Sequence, residues 1–168
     1  MLYSLRRLSA FAGRLARKGI FFFMKKLLLF FIGLLPLAFG TLLNALMLGA
    51  LQDTTLPYGV IGLFFLLFWL LLGFWTRPLA KSAFAAAAIA HIPALAALAL
   101  LLYQELALGR YWFNAFGLLP QFFYLPLISL AGRIVLFAHT MPPVYAAAFV
   151  MLFVVFYAGG ALRRRKSN

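Results

Sequence analysis

Five polar side chains fall inside or against long apolar runs: Asn44, His91, Arg110, Gln121 and Arg133. Polar groups are costly in hydrocarbon, so each is a candidate for binding or chemistry. His91 is the strongest of them, because an imidazole titrates near neutral pH and can relay protons or hold a metal. A metal needs three or four donors, however, and a proton path needs partners. The other histidine, His139, belongs to the far end of the apolar region, and helical rise separates Asn44 from His91 by roughly 12 Å in depth. A packing role competes, in which His91 bonds a neighbouring helix or the carbonyl freed by Pro93. Arg110 precedes Tyr111 and Trp112, and together with Arg133 it could hold a lipid phosphate or an anionic solute; the alternative for both arginines is snorkelling anchorage.

What is missing narrows the chemistry further. The two acids, Asp53 and Glu105, lie in connections and not within an apolar run. An intramembrane carboxylate pair, a carboxylate-driven proton pump and magnesium-dependent phosphoryl transfer therefore lack their central groups. The absence of cysteine removes disulfides, thiolate metal sites and cysteine nucleophiles. No His-Glu-x-x-His, Gly-x-Ser-x-Gly or Gly-x-x-x-x-Gly-Lys motif occurs. The sequence predicts no catalytic residue, no metal ligand set and no cofactor.

The elements that carry these side chains are set by composition. Hydrophobic residues make up 67% of the 168 and charged residues 10%, against about half and about a quarter in a soluble domain. Apolar runs of about 20 residues match a 30 Å hydrocarbon layer at helical rise. They are unbroken and not alternating, which favours helices over a barrel. The expectation is an all-α polytopic bundle with spans near 27–51, 58–75, 83–103 and 142–160, a proline-broken apolar segment at 117–138, and a basic tail at 163–168. Thr41, Ala45 and Gly49 form a small-residue stripe suited to close helix contact, and the alanine-rich run 83–103 suits the bundle interior.

Residues 1–23 carry Arg6, Arg7, Arg14, Arg17 and Lys18 on one helical side, which suits an amphipathic helix on an anionic surface or an organelle transit peptide. Met24-Lys25-Lys26-Leu27 looks instead like a bacterial start running into a hydrophobic helix, which would leave residues 1–23 untranslated.

Charge placement selects among topologies. If 117–138 crosses, five spans divide the 15 Lys and Arg ten to five between the two sides. If it dips and returns, or lies along the interface, four spans divide them thirteen to two, with both termini on the basic, cytoplasmic side. Starting at Met24 still gives eight to two. Four spans are expected, with five as the alternative. Gly33-Leu-Leu-Pro36 recurs as Gly117-Leu-Leu-Pro120, a signal that would favour five spans related by inversion, but neighbouring residues do not match.

These features lead to the expectation of a small non-catalytic membrane protein that serves as a subunit or accessory component, with a transport or solute- and lipid-binding component as the alternative. Its partners would be the bilayer, anionic headgroups, and other membrane proteins or copies of itself. The positive charge flanks the apolar runs and forms no water-facing stripe, which argues against nucleic acid. A bacterial inner membrane is the simplest location, with a mitochondrial inner membrane next.

Overall fold

In the computed structural model of the chain, residues 20–49, 56–135 and 140–163 are described. The expectations for most of the basic segment 1–23, for Asp53, for His139 and for the tail from Arg164 onward lie outside them. The described residues are helical without a strand: α1 (20–32), α2 (Leu35–Leu48), α3 (Tyr58–Thr76), α4 (Ala83–Ala90), α5 (Ile92–Leu102), α6 (Ala115–Ile134) and α7 (Pro142–Leu162). Four stretches are long and apolar enough to cross a membrane: Ile20–Leu48, Tyr58–Leu79, Ala115–Ile134 and Pro142–Leu162. A further pair, Ala83–Ala90 and Ile92–Ala107, forms one segment bent by 47°. The chain is thus an all-α integral membrane protein of four long apolar helices and one interrupted one.

The interruption is not where the prolines of 117–138 suggest it. That segment is continuous helix from Ala115 to Ile134 with Pro120 and Pro126 inside it, whereas the break falls at His91, ahead of Pro93. A proline inside a helix frees the carbonyl four residues earlier, here Phe122 for Pro126. The Phe122 carbonyl lies directly against Gly40 of α2, where a Cβ would collide with it. The close approach of a glycine lets that carbonyl rest against Cα–H instead of forcing the helix open. At the other break His91 takes φ −98° and ψ 7°, outside the helical well. Its backbone N–H bonds the Ala87 carbonyl at 3.0 Å, and the ladder restarts with Leu95 N–H to the His91 carbonyl at 2.8 Å.

Side-chain contacts fix the directions. Trp69 meets Leu152, Gly73 meets Phe156, and Arg163 meets Phe74 and Trp75, so α3 and α7 run parallel. Gly160 packs on Ala83 and His91 on Phe149, so the bent segment α4–α5 runs opposite to α7. Phe39 stacks near Phe65, and Lys81 covers the ring of Phe22, which closes α1–α2 against α3 as an antiparallel hairpin. One end of the bundle therefore holds Lys25, Lys26, Arg77, Lys81 and Arg163, with no acid among the described residues there.

The opposite end is covered by α6. Its last turn places Arg133 against Gly59, at the start of α3. Its first turn packs Gly117 on Trp112, whose N–H bonds the Gln104 side chain near the end of the bent segment. Because α3 begins where α4–α5 ends, both ends of α6 lie at the same end of the bundle. Between them Phe122 and Pro126 rest on Gly40, and the Tyr124 hydroxyl donates to the Ala94 carbonyl at 2.6 Å. Gly62, on which Pro126 and Leu130 also rest, is one turn inside α3, so the middle of α6 packs about 6 to 12 Å in from that end. The four elements that run the length of the bundle are α1–α2, α3, α4–α5 and α7.

The interior agrees with the alanine-rich composition of the third run, since Ala86, Ala87, Ala90 and Ala94 are all buried. The other small-residue stripe behaves differently. Thr41, Ala45 and Gly49 are exposed, and α2 turns Pro36, Gly40 and Leu43 inward instead. At the α3–α7 crossing Gly73 lies against the Phe156 carbonyl and Gly159 against the Leu70 carbonyl. Replacing Gly73 with Leu should destabilise the fold by about 3 kcal/mol or prevent folding, because backbone on both sides would have to move. A methyl group added at Gly132 would meet nothing within 4 Å, so Gly132→Ala should be neutral; thermal unfolding of both variants in detergent checks the contrast.

Candidate functional site

His91 sits at the break between α4 and α5, and its environment explains why a polar ring is tolerated there. Its exposure is 2%. Nδ1 donates to the Ala87 carbonyl at 2.8 Å, which leaves Nε2 to accept from the Trp69 indole N–H at 3.3 Å. The same indole N–H also reaches the Leu152 carbonyl at 3.1 Å. The rings of Trp69, Phe149, Phe153 and Phe156 surround the imidazole with centroids 5.3 to 6.3 Å away, all edge-on. Both ring nitrogens are thus engaged, in one consistent tautomer, and the ring faces aromatic edges.

The partner of His91 lies in a different helix, 22 positions earlier, and nothing in local sequence pattern marks Trp69 as that partner. Trp69 is itself 1% exposed and joins α3 to both α4 and α7 through one N–H. The site is a three-helix junction near the middle of the bundle. Ala90 adds a fourth element there, since its carbonyl lies against Gly33 at the kink between α1 and α2.

The remaining candidates do not converge on His91. Asn44 is half-buried on α2, one turn beyond Gly40 toward the α6 end, and its side chain makes no hydrogen bond among the described residues. Gln121 is half-buried on α6 and likewise makes none among them. Arg133 and Arg110 are both exposed and stand at opposite ends of α6, whose 20 residues span about 30 Å. They mark two separate places at the same end of the bundle.

Arg133 forms the polar wall of a cleft of about 480 Å³ between the start of α3 and the end of α6. Tyr58 and Ser129 line it with hydroxyl groups, while Leu63 and Leu130 supply apolar wall. The guanidinium carbon lies 3.6 Å from the position a Gly59 Cβ would take, so the glycine gives the arginine room to lie along α3. Arg110 lies in a shallow recess with Tyr111, Trp112, Phe113 and Asn114.

One further cluster surrounds Gln104, which its residue type and spacing do not single out. The bent segment ends in a widened π turn, Tyr103–Ala107, a form that is often found at functional positions. Gln104 in it is fully buried. Its Oε1 accepts from the Trp112 N–H at 2.8 Å, and its main-chain carbonyl accepts from the Arg110 N–H at 3.2 Å. Gly109 makes the return possible with φ +62°. The mixed composition of 104–117 marks an interface, but only the folded turn shows that Gln104, Arg110 and Trp112 are neighbours.

Comparison with protein-family models, with curated proteins and with solved structures gives no match. The reading of these sites therefore rests on their geometry.

His91→Ala should lower stability by about 2 to 4 kcal/mol, since it opens a hole among four aromatic rings and strands the Trp69 N–H. Thermal unfolding in detergent measures this. A functional imidazole would instead show itself as lost activity with an unchanged melting temperature.

Proposed function

We propose that the protein is a non-catalytic membrane component that works by associating, within the bilayer, with another membrane protein or with copies of itself. The observation that carries this reading is the outer face of α2. Thr41, Ala45 and Gly49 lie exposed at four-residue steps, and the fold uses Gly40 rather than this stripe for its internal contact. In lipid, helices associate through close backbone approach more than through the hydrophobic effect, so an unused stripe of small residues suits a second helix. His91 supports the same reading, because both of its nitrogens serve packing.

Charge placement supports an orientation. Lys25, Lys26, Arg77, Lys81 and Arg163 share one end, while the α6 end carries Arg110, Arg133 and Glu105. By the bias of Lys and Arg toward the cytoplasm, the basic end is the cytoplasmic one, in a bacterial inner membrane as the simplest setting.

A second reading, a solute- or lipid-binding component, is favoured by the Arg133 cleft. A guanidinium beside two hydroxyls with leucine walls suits the phosphate and upper acyl region of an anionic lipid.

Light scattering and mass spectrometry of the tagged protein in mild detergent should find a stoichiometric assembly, and the double change Thr41→Leu with Ala45→Leu should dissolve it without moving the melting temperature. A solitary wild-type species would overturn the association reading in favour of the second. The chain has no cysteine, so single Lys81→Cys, Arg110→Cys and Arg133→Cys variants report sidedness cleanly. An impermeant thiol reagent on intact cells should label positions 110 and 133 but not 81; labelling of only one of the first two would mean that α6 crosses.

A further inference from the structure

Among the described residues, three buried side-chain polar atoms lack a hydrogen-bond partner: Gln104 Nε2, Glu105 Oε2 and Tyr111 OH. All three belong to the π turn and the loop that folds back on it. Native interiors leave few such groups, and each costs about as much as a lost hydrogen bond, so a cluster of them points to a partner that belongs there. The set is specific in kind. Gln104 Nε2 can only donate, the Glu105 carboxylate accepts, and the Tyr111 hydroxyl can do either.

The surroundings narrow the partner further. The Arg110 N–H bonds the Gln104 carbonyl, so the turn that carries the Glu105 carboxylate also carries the Arg110 guanidinium. One cation and one anion on the same turn match a zwitterion better than an anion. Phe113 is 96% exposed and Phe116 72%, with Trp112 beside them, so the recess opens where aromatic side chains meet lipid headgroups and upper chains. A soluble zwitterion would leave those rings uncovered.

We infer that the turn 103–114 is a headgroup site for a bilayer phospholipid bearing a primary ammonium, the phosphoethanolamine group. Glu105 and Tyr111 receive the ammonium N–H donors, Arg110 faces the phosphate, and Gln104 Nε2 donates to an oxygen of the same group. This assignment is independent of the association face on α2 and of the Arg133 cleft, which lies at the other end of α6.

The test is a titration of the full-length protein in detergent, followed by native mass spectrometry, with short-chain phosphatidylethanolamine, phosphatidylcholine and phosphatidylglycerol. Phosphatidylcholine has the same charge but no ammonium N–H. Phosphatidylethanolamine should bind about tenfold tighter than phosphatidylcholine, the effect of a charge-assisted hydrogen bond. Glu105→Gln should erase that preference, and Arg110→Ala should weaken both lipids. Equal binding of the ethanolamine and choline lipids by the wild-type protein would overturn the proposal and leave the polar atoms to ordered water. Tighter binding of phosphatidylglycerol would overturn it in favour of an anion site. Free phosphoethanolamine competing as well as the lipid would overturn the assignment to a bilayer lipid. Should Glu105→Gln fail to fold, the wild-type comparison decides alone.

Discussion

The bundle depends on close backbone contact between helices. Lipid tails are as apolar as leucine, so burying leucine against leucine gains little, and what holds helices together is how closely they approach. Gly33 against Ala90, Gly40 against Phe122, and the Gly73 and Gly159 pair against α7 and α3 supply that approach. In each case a carbonyl of one helix meets the Cα surface of another. These contacts also satisfy the other demand of the bilayer, that no backbone polar group be left facing hydrocarbon.

The middle of the molecule follows from this constraint. The turn at Gly33 between α1 and α2 and the break at His91 face one another, so α1–α2 and the bent segment meet where their backbones are least regular. The Trp69 and His91 side chains then fill the level of the break and bond the carbonyls of α4 and α7. A histidine in this position serves as a fixed hydrogen-bonding wedge. The buried polar groups left without partners lie instead at the end covered by α6.

That end is built differently from the basic one. At the basic end Arg163 reaches the last carbonyls of α3, where a cation complements the negative end of the helix dipole, and Lys26 and Lys81 both lie over the Phe22 ring. Its charges are engaged with the chain itself. At the α6 end Arg110 and Arg133 lie in open recesses, and the acid Glu105 lies on the turn that leads to Arg110. The two ends therefore differ in what their charges meet: the chain itself at one, open recesses at the other.

Composition and run length by themselves determined the class, an all-helical membrane bundle, because only helices of about 20 apolar residues satisfy both the backbone and the lipid. They also determined that the alanine-rich run would be interior, since small side chains are what close contact requires. Which segment breaks was decided by tertiary structure. The prolines of 117–138 and the proline after His91 remove the same kind of hydrogen bond, but Gly40 covers the Phe122 carbonyl and allows α6 to stay continuous. The facing of α2 was decided the same way: Gly40 and the Thr41 stripe are adjacent in sequence, and only the position of α6 makes one internal and the other exposed. The orphaned atoms of Gln104, Glu105 and Tyr111 had no sequence signal at all, because a missing partner is a property of space around a folded turn and not of residue order.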